Sequence, residues 1–203
     1  MVPHHTNIKR IATVTVVLTV AIEIMFVLAM DIDPKFIPYR SGLIITLVGL
    51  FWLYFDKIGW RQSFFRVGGW LCNTPNLNGR WEGKVDRASE NTPHGFVVEI
   101  RQTFSKLKMH TYSANSKGNS IACRFVTDET EEKYILVVAW KCRTRCFDDQ
   151  DNYEEFYGTS IIEYSVQGKT RKLEDHYFTD RNPQTRGNID VAWVGNKLHD
   201  RFD

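Results

Sequence analysis

Between residues 81 and 186 the chain carries Trp81, Trp140, Tyr157, Tyr164 and Tyr177 together with Arg124, Arg181 and Arg186. Indole and phenol faces stack on nucleobases, and guanidinium forks pair with phosphate oxygens. Thr179 adds a hydroxyl two residues before Arg181. These types together suit recognition of a base and a phosphate. Taken singly, each aromatic reads first as barrel core and each arginine first as a solvated surface side chain.

Other motifs carry less. QGKT at 167–170 has the ending of a phosphate-binding loop, but Glu163 stands where its first glycine is needed and no helix follows, so it reads as a hairpin turn. The acidic run FDDQDNYEE (147–155) lacks the glycine and final glutamate of a calcium loop and reads as a solvated connection. His4, His5, His94, His110, His176 and His199 show no metal-ligand spacing, and no nucleophile stands beside a base. The pattern indicates neither an enzyme nor a metal site. Cys72, Cys123, Cys142 and Cys146 form no C-x-x-C pair and read as structural thiols of a reducing compartment. Residues 77–203 balance 19 Lys/Arg against 20 Asp/Glu, which argues against binding of long nucleic acid. A small anion held by selected arginines fits that balance.

The elements that must position these groups follow from period-two alternation. It predicts eight strands, at 79–86, 96–103, 106–113, 119–126, 133–142, 156–165, 171–179 and 188–194, joined by short connections rich in Gly, Asn and Asp. Sequential antiparallel strands of this length close most economically into an eight-stranded up-and-down barrel of lipocalin or streptavidin type, which leaves no open edge. Its interior is just wide enough to be filled or to hold one small ligand. Trp81, Gly83 and Val85 are expected inside, as are Phe96, Val98 and Ile100; Leu136, Val138 and Trp140; and Leu173, Asp175, Tyr177 and Thr179. The fourth strand is ambiguous, because Arg124 shares a face with Ala122 and Val126 while Ile121, Cys123 and Phe125 share the other. Arg181 and Arg186 flank the last hairpin, at a predicted barrel mouth.

Residues 1–76 read differently. Ile11–Met30 is a nearly unbroken apolar run of 20 residues, the length needed to cross about 30 Å of hydrocarbon. Gly42–Phe55, extended back to Phe36, is expected to be a second span, with Arg40 snorkelling. Lys9 and Arg10 precede the first run and Lys57, Arg61 and Arg66 follow the second. The expectation is therefore a transmembrane hairpin with both termini cytoplasmic. Trp52, Trp60 and Trp70 are expected at the interface. The domain boundary is placed at 76/77, with a ligand-sensing barrel over 77–203. Glu23 interrupts the first span, and an intramembrane carboxylate faces protein or water. Two readings stand: it pairs with Thr46 or a backbone carbonyl of the second helix, or it contacts another protomer when helices assemble.

A two-helix hairpin followed by a β-rich domain opening NGRWEG and ending near YFTDRNPQTRG resembles the membrane effectors of bacterial CBASS anti-phage systems with a two-transmembrane, β-strand-rich effector domain. The resemblance implies that the barrel senses a cyclic dinucleotide made by a partner nucleotidyltransferase. It implies also that the protein then forms a homo-oligomer, and that the transmembrane part permeabilises the inner membrane and kills the cell. No cofactor is implied beyond that activating ligand. The alternative is a membrane-tethered lipocalin-like barrel for a small apolar ligand, which calls for an aliphatic lumen without arginine.

Overall fold

The computed structural model describes residues 8–30, 37–66, 71–88, 92–128, 133–145 and 153–202. The inter-helix residues 31–36, Trp70, Cys146, the segment 147–152 of the acidic run, and His4 and His5 lie outside them. The chain divides into two units, Met1–Thr74 with Thr103–Ser105, and Pro75–Gln102 with Lys106–Asp203.

The first unit holds α1 (Ile8–Met30), α2 (Ile37–Lys57), a 3-10 turn at Gly59–Arg61 and α3 (Ser63–Arg66). In α1, Lys9–Leu28 is a 20-residue stretch of mean hydropathy 2.5 and is long and apolar enough to cross a membrane. Its threonines fit such surroundings: Thr13, Thr15 and Thr19 donate their hydroxyls to the carbonyls of Lys9, Ile11 and Thr15, one turn back. Among the described residues α1 alone meets that measure, so one clear span is found where two are expected. The second run does form a helix, but Pro38, Arg40, Asp56 and Lys57 crowd its ends. Gly42–Phe55 between them covers only about 21 Å at 1.5 Å per residue. The two helices touch where Trp52 Nε1 donates to Thr15 Oγ1 at 3.1 Å. Trp60, expected at the interface, is instead fully buried in a cluster with Phe55, Leu71 and Cys72.

The second unit is a closed barrel of eight strands in sequence order, every neighbour antiparallel and β8 returning to β1. They are β1 (Gly79–Arg87), β2 (His94–Gln102), β3 (Leu107–Tyr112), β4 (Ser116–Asp128), β5 (Lys133–Arg145), β6 (Tyr153–Gln167), β7 (Thr170–Thr179) and β8 (Arg186–Gly195). Each expected strand exists. Strands β4 to β6 run longer than alternation suggested, because backbone pairing continues past the last core residue into segments polar on both faces. A bulge between Ser120 and Ala122 explains the ambiguity of β4: it turns Ile121 out to 64% exposure and leaves Cys123 and Phe125 against the core. Arg124 therefore faces outward and is exposed.

One end of the barrel is packed shut. Leu77, Trp81, Val98, Ile100, Leu136 and Leu173 there are all fully buried. Trp81 Nε1 donates to Leu77 O at 3.0 Å. The Arg171 guanidinium lies 5.2 Å from the Trp81 ring and 4.8 Å from Trp193. Asp175 departs from its expected inward place. It has φ 146 and its carboxylate pairs with the exposed ring of His176, leaving it a third exposed beside the lumen-facing Leu173 and Tyr177.

Candidate functional site

The other end of the barrel is open. Inward side chains near the β1–β2, β3–β4, β5–β6 and β7–β8 turns enclose a cavity of about 540 Å³, within the range of small-molecule sites. Trp140, Phe156, Tyr177, Thr179 and Arg181 line its β5–β7 side, with Phe96, Met109 and Thr111 across from them. The mouth also takes Arg87, His94 and Glu154, and Phe202 from the C-terminal tail.

Local geometry explains why these side chains stand where they do. Trp140 pairs across strands with Gly158, where an added Cβ would lie 2.3 Å from the indole. The glycine leaves the space into which the ring folds. Trp140 Nε1 donates to Ser160 Oγ at 2.8 Å, which fixes the ring's orientation. Phe156 meets Trp140 edge-on at 6.0 Å. Arg181 leaves the β7–β8 turn, which is tied down at both sides. Thr179 N–H and Oγ1 donate to Thr185 O, and the Asp180 carboxylate accepts the Tyr157 N–H at 2.8 Å. The Arg181 guanidinium lies 4.5 Å from the Phe156 ring centre and pairs with the Glu154 carboxylate. The cavity thus offers aromatic faces, hydroxyls and a forked cation, the parts needed to stack a base and grip a phosphate.

Of the residues singled out from sequence, the cavity gathers Trp140, Tyr177, Thr179 and Arg181. Trp81 is fully buried in the closed end, and Tyr164 is packed edge-on to it at 6.4 Å. Tyr157 is half exposed on the outer face, with Lys141 above its ring. Arg186 lies in a separate shallow groove of about 310 Å³ outside the barrel, with Asp86, His176 and Asn188. Phe156, Glu154, Thr111 and Phe202 were missed. Parity could have found Phe156, since it sits two residues from Gly158 on the same strand face; no pattern marks Phe202.

Cys142 also lines the cavity. Burial pushes its pKa up, and that of Cys123 up to about 12, so both stay thiols at neutral pH. Among the described residues no group of three His, Cys, Asp or Glu side chains could hold a metal ion. Arginine and glutamate at the mouth speak against an apolar-ligand barrel.

Fold and cavity together describe a β-barrel closed at one end, with an amphipathic, cation-bearing cavity at the other, a form suited to holding one small ligand. Residues 72–192 match the family model of Cap15, cyclic dinucleotide receptor domain, and the chain belongs to that family. Its barrel is thereby a cyclic-nucleotide sensor of CBASS anti-phage defence. No curated protein matches the chain.

Proposed function

We propose that the mouth cavity is the cyclic dinucleotide site, and that its occupancy drives self-association and permeabilisation of the bacterial inner membrane. The observation that carries the reading is Arg181 beside Trp140 and Phe156 in a cavity of this size, within the family-matched barrel. Arg181 takes a phosphodiester, the aromatic rings take the bases, and Thr179 supplies a hydroxyl. The protein acts as a receptor and not as an enzyme, and needs no cofactor beyond its ligand.

Two features support assembly. The outer face of β4 to β6 carries Ala122, Val126, Ile135, Val137, Ala139 and Ile161 around the exposed Arg124, a largely apolar surface able to meet a second copy. In α1, Glu23 Oε2 is shielded and has no hydrogen-bond partner among the described residues. Thr46, the partner considered within the chain, donates instead to Gly42 O at 2.8 Å. An orphaned carboxylate oxygen in an apolar helix suits a contact completed by another protomer. In this reading α1 crosses the membrane, α2 returns as the shorter limb, and the flanking Lys9, Arg10, Lys57, Arg61 and Arg66 keep both termini cytoplasmic.

The test is thermal unfolding of the full chain in lipid nanodiscs with cyclic di-AMP, cyclic di-GMP, a mixed purine–pyrimidine cyclic dinucleotide, and a fatty acid as control. A true ligand at 100 times its Kd stabilises by about 2.7 kcal/mol. Stabilisation by the fatty acid alone overturns the reading. For the membrane step, Glu23→Leu is expected to leave insertion and ligand binding intact and to slow ligand-triggered dye entry into cells. Glu23→Gln, which still hydrogen-bonds between helices, is expected to be milder. Dye entry as fast as in the parent would remove Glu23 from the assembly.

A further inference from the structure

Arg181 already has a partner. Its Nε donates to Glu154 Oε1 at 3.1 Å, and its Nη2 donates to the other carboxylate oxygen. A carboxylate held by two parallel N–H···O bonds presents the same charge and fork geometry as the two free oxygens of a phosphodiester. Both residues line the cavity, and one guanidinium edge cannot grip both anions.

We infer that Glu154 is a built-in competitor for the phosphate of the cyclic dinucleotide, setting the ligand concentration at which the receptor responds. The inference rests on the receptor reading above. Glu154 is suited to leave: it stands near the start of β6 with its side chain 44% exposed, so water solvates it once displaced. Phe156 keeps the guanidinium plane in place during the exchange, because the cation–ring contact does not involve the carboxylate. The competition also selects among phosphates. A ligand that brings only a phosphate must displace Glu154 without help, whereas one that also stacks bases on Trp140 and Phe156 has binding energy to spare. The pair therefore raises the threshold against simple phosphate anions more than against the intended ligand.

Glu155 is the matched control. It is the adjacent carboxylate, it turns to the outer face, and it pairs with Lys141 Nζ at 2.7 Å. The experiment is calorimetry on the full chain in nanodiscs, using whichever of cyclic di-AMP, cyclic di-GMP and the mixed dinucleotide binds the parent. Glu154→Gln and Glu154→Ala are expected to bind about three- to fivefold more tightly, the upper end for exposed ion pairs, as suits a bidentate one. Glu155→Gln, with the same change of charge, is expected to match the parent. In an Arg181→Gln background the gain from Glu154→Gln should vanish. Unchanged or weaker binding by both Glu154 variants overturns the inference and leaves the receptor reading standing. So does an equal gain from Glu155→Gln, which would mean a general field effect. Failure of every probe to bind parent and variants alike defeats the receptor reading, and this inference with it.

Discussion

Glu99→Ala is expected to destabilise the barrel by about 2–4 kcal/mol, because buried hydrogen-bond donors of the tail lose their acceptor and Arg80 loses one of its two carboxylates. Glu99 points away from the lumen on β2, yet it is fully buried, and Arg80 beside it on β1 is only 3% exposed. The C-terminal tail covers them. Glu99 accepts hydrogen bonds from Arg80 Nη1 at 2.9 Å and from the backbone N–H groups of His199 and Asp200 at 2.7 and 3.1 Å. Arg80 in turn donates to Arg201 O at 2.9 Å. Burial works against the Arg80 charge, but the hydrogen bonds to Glu82 and Glu99 outweigh it and its pKa is raised. Alanine at 99 leaves Arg80 with Glu82 as its carboxylate and strands two tail N–H groups. The nearby Arg101–Asp200 pair is more than half exposed on both sides and contributes less than about 1 kcal/mol. The double replacement Arg80→Met with Glu99→Leu should recover most of the loss, since an apolar pair removes both charges together. Urea unfolding of the full chain in nanodiscs gives the measurement. A loss under about 1 kcal/mol for Glu99→Ala would mean that the tail is not clamped as described.

The tail also reaches the site. A Cβ on Gly95 would meet the Phe202 ring at 3.0 Å, and that ring forms part of the cavity's rim. Loosening residues 198–202 should therefore weaken ligand binding as well as stability. Nothing in the alternation of β1 and β2 announced this. Arg80 and Glu99 fall at outward positions, where charged residues are ordinary, and only the fold brings the chain end over them.

The barrel was legible because half-buried strands must alternate, and eight alternating runs between short turns leave few other arrangements. Which side chains share a layer was not legible. Trp81 and Trp140 have the same inward parity, yet one plugs the closed end and the other lines the cavity. Height along the barrel axis is set by strand register, which alternation does not encode, and β1 takes part of its register from β8 at the far end of the chain. A one-residue choice also flips a face, which is why Tyr157 looks outward while Phe156 lines the cavity. The second run forms a helix but not a clear span by length and composition, because its 14-residue apolar core is flanked by charge and proline.

The last hairpin makes the sharpest test of the site, because its two arginines lie in different places. Arg181→Ala is expected to weaken cyclic dinucleotide binding about 10- to 150-fold, since a charge-assisted hydrogen bond is worth roughly 1.5–3 kcal/mol. The fold should persist, because the turn is held by Thr179, Asp180 and Thr185 and not by the guanidinium. Arg181→Lys should fall between, keeping the charge but losing the fork and the planar stack on Phe156. Arg186→Ala should change affinity by less than about twofold, the effect of a remote exposed charge in physiological salt. Its side chain is exposed in the outer groove with Asp86 and His176, and the turn directs it away from the lumen. Calorimetry on the three variants decides the matter. If Arg186→Ala weakens binding while Arg181→Ala does not, the ligand occupies the outer groove, and the cavity with its aromatic lining is not the receptor site.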